Sequence, residues 1–267
     1  MGHTWVMKVN GYKIKPDANL SGANLENANL TKAKLTGANL TKANLKGATL
    51  IGATLIGANL AGANIFEADL ENARLRGADL TGADLGGANL SRASFRNSDL
   101  SHANLAGANL FKTSLFQTNL NGADMRNANL LGTDLQEAGC LGTNLNGANL
   151  RHANLLWANM QGANLQMALL TGANMQATVL FKANFHEADL TGAHMPGAHL
   201  IGANLIGANL TGANLSGADL TDATLLGANL LDADLSGANL TSANVDGKTL
   251  DGANLTGATM PDGTIHK

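Results

Sequence analysis

Few side chains in this sequence are of a kind that does chemistry. Ala193-His194-Met195-Pro196-Gly197-Ala198-His199, with His186-Glu187 just before it, invites a metal reading. A Zn²⁺ site needs ligand nitrogens about 2.0–2.1 Å from one ion. Asp79 and Asp99 could form a paired carboxylate of the kind used in acid–base work. Cys140 is the single cysteine, so it has no internal disulfide partner. Between residues 92 and 157, Phe111, Phe116, Leu131, Leu156 and Trp157 are interspersed with Arg92, Arg96, Lys112 and Arg151. Aromatic residues and Arg together are what protein interfaces concentrate. Which of these groups can meet depends on the elements that carry them.

Those elements are copies of one unit, Ala203-Asn204-Leu205-Ile206-Gly207 being typical. An apolar residue falls on every fifth position from Leu20 to Leu255, then at Met260 and Ile265. Two positions earlier sits Ala, with departures at Ser98, Thr113, Thr118, Thr133, Thr143, Thr178, Lys248 and Gly263. A period of five is neither the 3.6 of a helix nor the 2 of a strand. In an extended side, Ala and Leu point inward and the Asn or Asp between them points outward. The two remaining residues must turn the chain. The second is mostly Gly, or Asn as at Asn27, Asn72, Asn97 and Asn127, which suits the φ > 0 position of a type II turn. Four sides close a ring of twenty residues, and rings stack at about 4.8 Å. Residues 18–265 then make about twelve coils, a rod of roughly 60 Å.

The unit resembles the A(D/N)LXX motif of the pentapeptide-repeat family, over all but about the first 17 residues and through roughly fifty consecutive units. The resemblance implies an all-β, right-handed quadrilateral β-helix with Leu or Phe inside. Its uninterrupted length is similar to cyanobacterial members. Two regions are expected: an N-terminal cap over 1–17 and a repeat β-helix over 18–267.

Positions twenty apart then lie one above another. One corner stacks Ser91-Arg92, Phe111-Lys112, Leu131-Gly132 and Arg151-His152. The next stacks Arg76-Gly77, Arg96-Asn97, Phe116-Gln117, Gln136-Glu137 and Leu156-Trp157. Both border one side of the rod, which presents Phe111, Phe116, Leu131, Leu156 and Trp157 among four cations. His194 and His199 fall on adjacent sides and diverge, so no metal is expected. Asp79 and Asp99 belong to a column that is otherwise mostly Asn, a solvated ladder. Cys140 occupies an inward Leu place and reads as a structural thiol.

The ends differ. Trp5-Val6-Met7-Lys8-Val9, Asn10-Gly11 and Tyr12-Lys13-Ile14 read as a hairpin on a two-residue turn, suited to covering an open coil. Lys248 stands in an inward Ala place, where a charge would block further edge pairing. The C-terminal end looks thinly covered, by Lys248 and the tail or by a second copy. Residues 1–50 carry seven Lys against Asp17 and Glu26, and residues 183–267 carry nine acids against Lys248 and Lys267. The rod is electrically polar along its length.

With outward groups diverging and the interior filled, no nucleophile–base pair can converge, so no enzyme is expected, no small-molecule substrate and no cofactor. Nucleic acid is disfavoured, because no aromatic interleaving supports base stacking. No apolar run approaches a membrane span and the start has no signal-peptide core, so a cytoplasmic location is expected. The leading reading is a non-catalytic scaffold that binds a protein partner through the central corners. The quinolone-resistance and mycobacterial branches of the family mimic DNA and bind DNA gyrase; here the basic N-terminal part argues against that alternative. A purely structural role, with end-to-end assembly or a homodimer through the C-terminal end, is the remaining one.

Overall fold

A computed structural model describes residues 7–246 and 248–267. Trp5 lies outside the described residues. Strands β1 (Met7–Val9) and β2 (Tyr12–Ile14) pair antiparallel with Val9 opposite Tyr12. Asn10 and Gly11 have φ of 48° and 83°, the two positive values that a type I′ hairpin turn requires. Ile14 is buried, and Val9 and Tyr12 pack against the core. The Asn24 N–H donates to the Tyr12 hydroxyl (3.3 Å), tying the hairpin to the first coil.

From Asn19 to Thr259 the chain forms parallel bridges between residues twenty apart, starting with Asn19 and Asn39. Each side is one bridge long because three extended residues separate two corners. The bonds are regular: Leu20 N donates to Asn39 O (2.7 Å), Asn39 N to Ala18 O (2.9 Å) and Gly22 N to Thr41 O (2.9 Å). Each corner closes on itself, as where Ala23 N donates to Leu20 O (3.0 Å). The second corner residue has positive φ throughout the regular repeats.

That place is less restricted than Gly and Asn alone. Lys32, Glu67, Arg92, His102, Trp157 and Ala177 also hold it, with φ between 50° and 58°. An L-residue with a Cβ is disfavoured there by roughly 1–2 kcal/mol. The corner is held nonetheless by hydrogen bonds to the next coil, such as Arg92 N to Phe111 O (2.9 Å) and Trp157 N to Gln176 O (3.2 Å).

The interior is a column of buried Leu and Ala with Phe95 and Phe185 as its largest members. Full burial of one Leu contributes about 1.5–3 kcal/mol. The Thr residues in Ala places are satisfied. Thr113 Oγ1 donates to Leu90 O (2.7 Å), Thr133 Oγ1 to Leu110 O (2.8 Å) and Thr178 Oγ1 to Leu155 O (2.9 Å). Each carbonyl already accepts a turn N–H, so the hydroxyl uses its second lone pair.

The outward Asn residues do more than face water. Asn89 Oδ1 accepts the Ser91 N–H (3.2 Å) and the Nδ2 of Asn109 (3.2 Å), which in turn accepts from Asn129 (3.0 Å). An amide both donates and accepts, so it continues such a ladder, whereas a carboxylate only accepts. Asp69, Asp84 and Asp134 accordingly accept from the Asn above them.

Two expectations for the C-terminal coil are corrected. Lys248 is exposed and Thr249 takes the inward place. Burying an unpaired ammonium is far costlier than a local bulge. Asp246 supports the bulge: Oδ1 accepts from Lys248 N (3.0 Å) and Thr249 N (2.9 Å), and Oδ2 from Gly227 N (3.1 Å). Ile265 is not inward but 62 % exposed. The tail doubles back antiparallel, with Thr259 opposite Ile265 and His266 N donating to Ala258 O (2.8 Å). It covers one side of the last coil, while Leu250, Ala253 and Leu255 remain only partly buried.

Candidate interaction face

One side of the rod runs between the corner of Phe111-Lys112 and that of Phe116-Gln117. The twenty-residue register stacks Ser94, Ser114, Asp134 and Asn154 along its centre. All nine candidate residues border this side. The structure sorts them into two groups.

In the lower group, cations lie against rings. The Arg96 guanidinium carbon is 4.3 Å from the Phe116 ring centre. Arg92 and the adjacent Lys112 approach the Phe111 ring at 6.0 and 5.2 Å. Arg92 also pairs with Glu71 at 3.2 Å. Phe111 and Phe116 are therefore half-buried. Beside them a polar ladder climbs one corner: Asn97 Nδ2 donates to Gln117 Oε1 (2.7 Å), and Gln117 Nε2 to Glu137 Oε2 (2.7 Å). In the same coil, Ser114 Oγ is buried without a hydrogen-bond partner.

Apart from Arg151, the upper group is apolar. Leu131, Arg151 and Leu156 are half-buried, and Trp157 is 57 % exposed at the head of the column that contains Glu137. Trp157 is thus separated from Phe116 by the Gln136-Glu137 corner. The two aromatic groups are not one continuous patch. Arg151 instead acts toward the adjoining side: burial pushes the Asp189 carboxyl up, but hydrogen bonds from Thr191 and Thr171, with the Arg151 charge, hold it below the usual range.

The same device recurs where the sequence reading did not look. Lys46 lies 5.7 Å from the Phe66 ring and Lys182 lies 5.0 Å from Phe181, on two other corners. The signal was present as a Lys twenty residues before, or beside, a corner Phe. Exposed Met167 and Leu141 were likewise not singled out.

The remaining candidates do not assemble. His194 and His199 are exposed on adjacent sides, and among the described residues no group of three or more His, Cys, Asp or Glu could hold a metal ion. Asp99 does stack on Asp79, but its carboxylate is occupied. Burial raises it, and hydrogen bonds from Ser101 and Asn119 outweigh that and hold it below the usual carboxylate value. Burial pushes the Cys140 thiol up to about 12, far from a thiolate at neutral pH. No helix of the described residues is long and apolar enough to cross a membrane.

A four-sided β-solenoid with a five-residue unit defines the class. The chain belongs to the pentapeptide-repeat family, whose profile (Pentapeptide repeats, 8 copies) matches it in overlapping segments from 17–47 to 233–262. Among solved structures it is similar to HetL from Nostoc sp. strain PCC 7120, a pentapeptide repeat protein involved in heterocyst differentiation regulation. Identity is 32 % over 94 % of this chain and 92 % of that one, with a TM-score of 0.44. A pentapeptide repeat protein from the Arabidopsis thaliana thylakoid lumen is 38 % identical over 38 % of this chain and 67 % of its own, TM-score 0.34. Full-length QnrB1, a plasmid-mediated fluoroquinolone resistance protein, is 16 % identical over 78 % of this chain and 94 % of its own, TM-score 0.42. No curated protein matches at a significant level.

Proposed function

We propose that this chain is a non-catalytic scaffold that binds a protein partner through the corners bordering the side described above. One observation carries the reading: Trp157 is held outward, 57 % exposed, at a corner whose φ of 58° a non-Gly residue adopts at a cost. An exposed indole on a rigid, strained position is a ready anchor for a partner. Phe111 and Phe116 with their cations offer a second, separate contact on the same side toward the N-terminus. No reacting groups converge on it, which is why binding and not catalysis is proposed. The cytoplasm is the compartment proposed, although a relative comes from a thylakoid lumen.

The test is affinity capture with the whole chain and with the variant F111A/F116A/W157A. Loss of a specific partner from the variant supports the assignment. A partner retained by the variant overturns it.

A second reading is favoured by the C-terminal coil, where Leu250, Ala253 and Leu255 are only partly covered by the tail. It makes that end a contact for a second copy, with the charge polarity of the rod guiding end-to-end assembly. A monomer by light scattering at both low and high salt would remove it. DNA mimicry fits less well, because a mimic needs an acidic surface and the side just described is basic between residues 71 and 117.

A further inference from the structure

The charges between residues 71 and 117 are sorted by side. Every Lys and Arg in that stretch, namely Arg74, Arg76, Arg92, Arg96 and Lys112, borders the side between the two Phe corners, and all are exposed. Asp79, Asp84 and Asp99 lie on the other sides. Only Glu71 opposes the cations on their own side, and it pairs with Arg92. These coils are close to neutral as a whole, so the sorting, and not net charge, creates the basic surface.

We propose that this surface binds a short acidic segment of a protein partner, one rich in Asp and Glu. The inference rests on the reading of the central corners as a protein-binding face and names the chemistry of what binds there. Arg96 is the best-built receptor. Its planar group lies over Phe116 at 4.3 Å and makes no ion pair among the described residues. Stacking occupies the face of a guanidinium and leaves its in-plane N–H fork free for a carboxylate. The ring also restricts the side chain before a ligand arrives, which reduces the entropy lost on binding.

The extent of the surface selects the ligand. Uncharged Ile51, Thr54 and Ile56 lie below it, and Asp134 and Glu137 close it above. It therefore covers three coils, roughly 10 Å at the strand spacing, the reach of about three or four extended residues. Nucleic acid binding that ignores sequence gains its affinity by neutralising many phosphates, and of the five cations here Arg92 is already paired with Glu71. It also draws on free aromatic faces for bases. Here both rings already carry cations.

The experiment is fluorescence anisotropy of the whole chain with a labelled oligoglutamate peptide, a labelled oligothymidylate of the same length and a labelled Gly/Ser peptide. Each is measured with wild type, R76Q/R96Q and the control K42Q/K46Q, whose cations lie on other corners. The expected result is saturable oligoglutamate binding, weakened about tenfold or more by R76Q/R96Q and unchanged by the control pair. No binding at low salt, equal weakening by both pairs, or tighter binding of oligothymidylate each overturns the proposal. Both double variants change exposed side chains at unstrained or already positive-φ corners, and unchanged circular dichroism confirms their folding. If oligoglutamate fails while F111A/F116A/W157A still loses a captured partner, the scaffold reading stands and the acidic chemistry falls. If oligoglutamate binds through Arg76 and Arg96 while capture ignores the triple variant, the aromatic assignment falls and the acidic site stands.

Discussion

Arg96 and Phe116 stand one coil apart on the same corner, with the guanidinium carbon 4.3 Å from the ring centre. The contact couples neighbouring coils from outside the core. A double-mutant cycle on R96Q and F116A, read from denaturant midpoints, should give a coupling of about 0.5–1 kcal/mol. Additive effects would show that the two side chains are merely adjacent.

Thr133 offers a test of the inward hydroxyls. Its Oγ1 donates to Leu110 O (2.8 Å) in a fully buried setting. T133V keeps the shape and removes the donor, and Leu110 O keeps the Thr113 N–H (3.0 Å). The expected loss is about 1 kcal/mol of stability, the net worth of one such bond. An unchanged midpoint would mean that the hydroxyl serves no stabilising purpose.

The corners predict opposite signs for two small substitutions. Ala177 has φ of 50°. A177G relieves about 1–2 kcal/mol of left-handed strain and adds about 0.4–1 kcal/mol of unfolded-chain entropy, so a modest gain in thermal stability is expected. Gly142 has φ of 62° and open space where a Cβ would go. G142A therefore costs the strain less the same unfolded-chain entropy, a net loss of about 1 kcal/mol or less. If both variants moved the same way, corner φ would not be the controlling quantity.

Acid should loosen the rod in a definite window. Asp99 and Asp189 are held below the usual carboxylate value in the folded chain, by Ser101 and Asn119 and by Thr191 and Thr171 against the opposing effect of burial. The unfolded chain then binds protons more readily than the folded one. These residues contribute stability above their unfolded pKa, and it is lost as pH falls through the folded values, below about pH 4. D99N/D189N should flatten that part of the stability–pH curve. A curve of unchanged slope would rule out these two carboxylates as its source.

Much of the architecture was legible because the repeat states it directly. Leu and Ala at fixed places define the interior, Gly or Asn at the second corner place defines the turn, and four sides define a twenty-residue coil that the bridges reproduce from Asn19 onward. The hairpin turn at Asn10-Gly11 was equally readable, since two positive φ values in succession favour that pair. The candidate face was legible only as a column of residue types. That Arg92, Arg96 and Lys112 lie over Phe111 and Phe116 depends on long side chains reaching across to the ring of an adjoining coil or corner place, which spacing does not specify.

The sequence by itself determined the periodic part: which residues face in, where the chain turns and which positions stack. Five-residue periodicity does this because every coil meets only copies of itself, so local pattern and global packing coincide. Tertiary structure alone decided the places where that coincidence ends. Lys248 occupies an Ala place in the pattern, yet the cost of burying its charge moves it outward, and Asp246 and Thr249 rebuild the backbone around it. Ile265 keeps the fivefold beat, yet the chain there pairs back on Ala258 and Thr259 and leaves it exposed. The register already puts Gln136-Glu137 between Phe116 and Trp157, but that Phe116 is half-buried under Arg96 while Trp157 is 57 % exposed is decided by the folded coils.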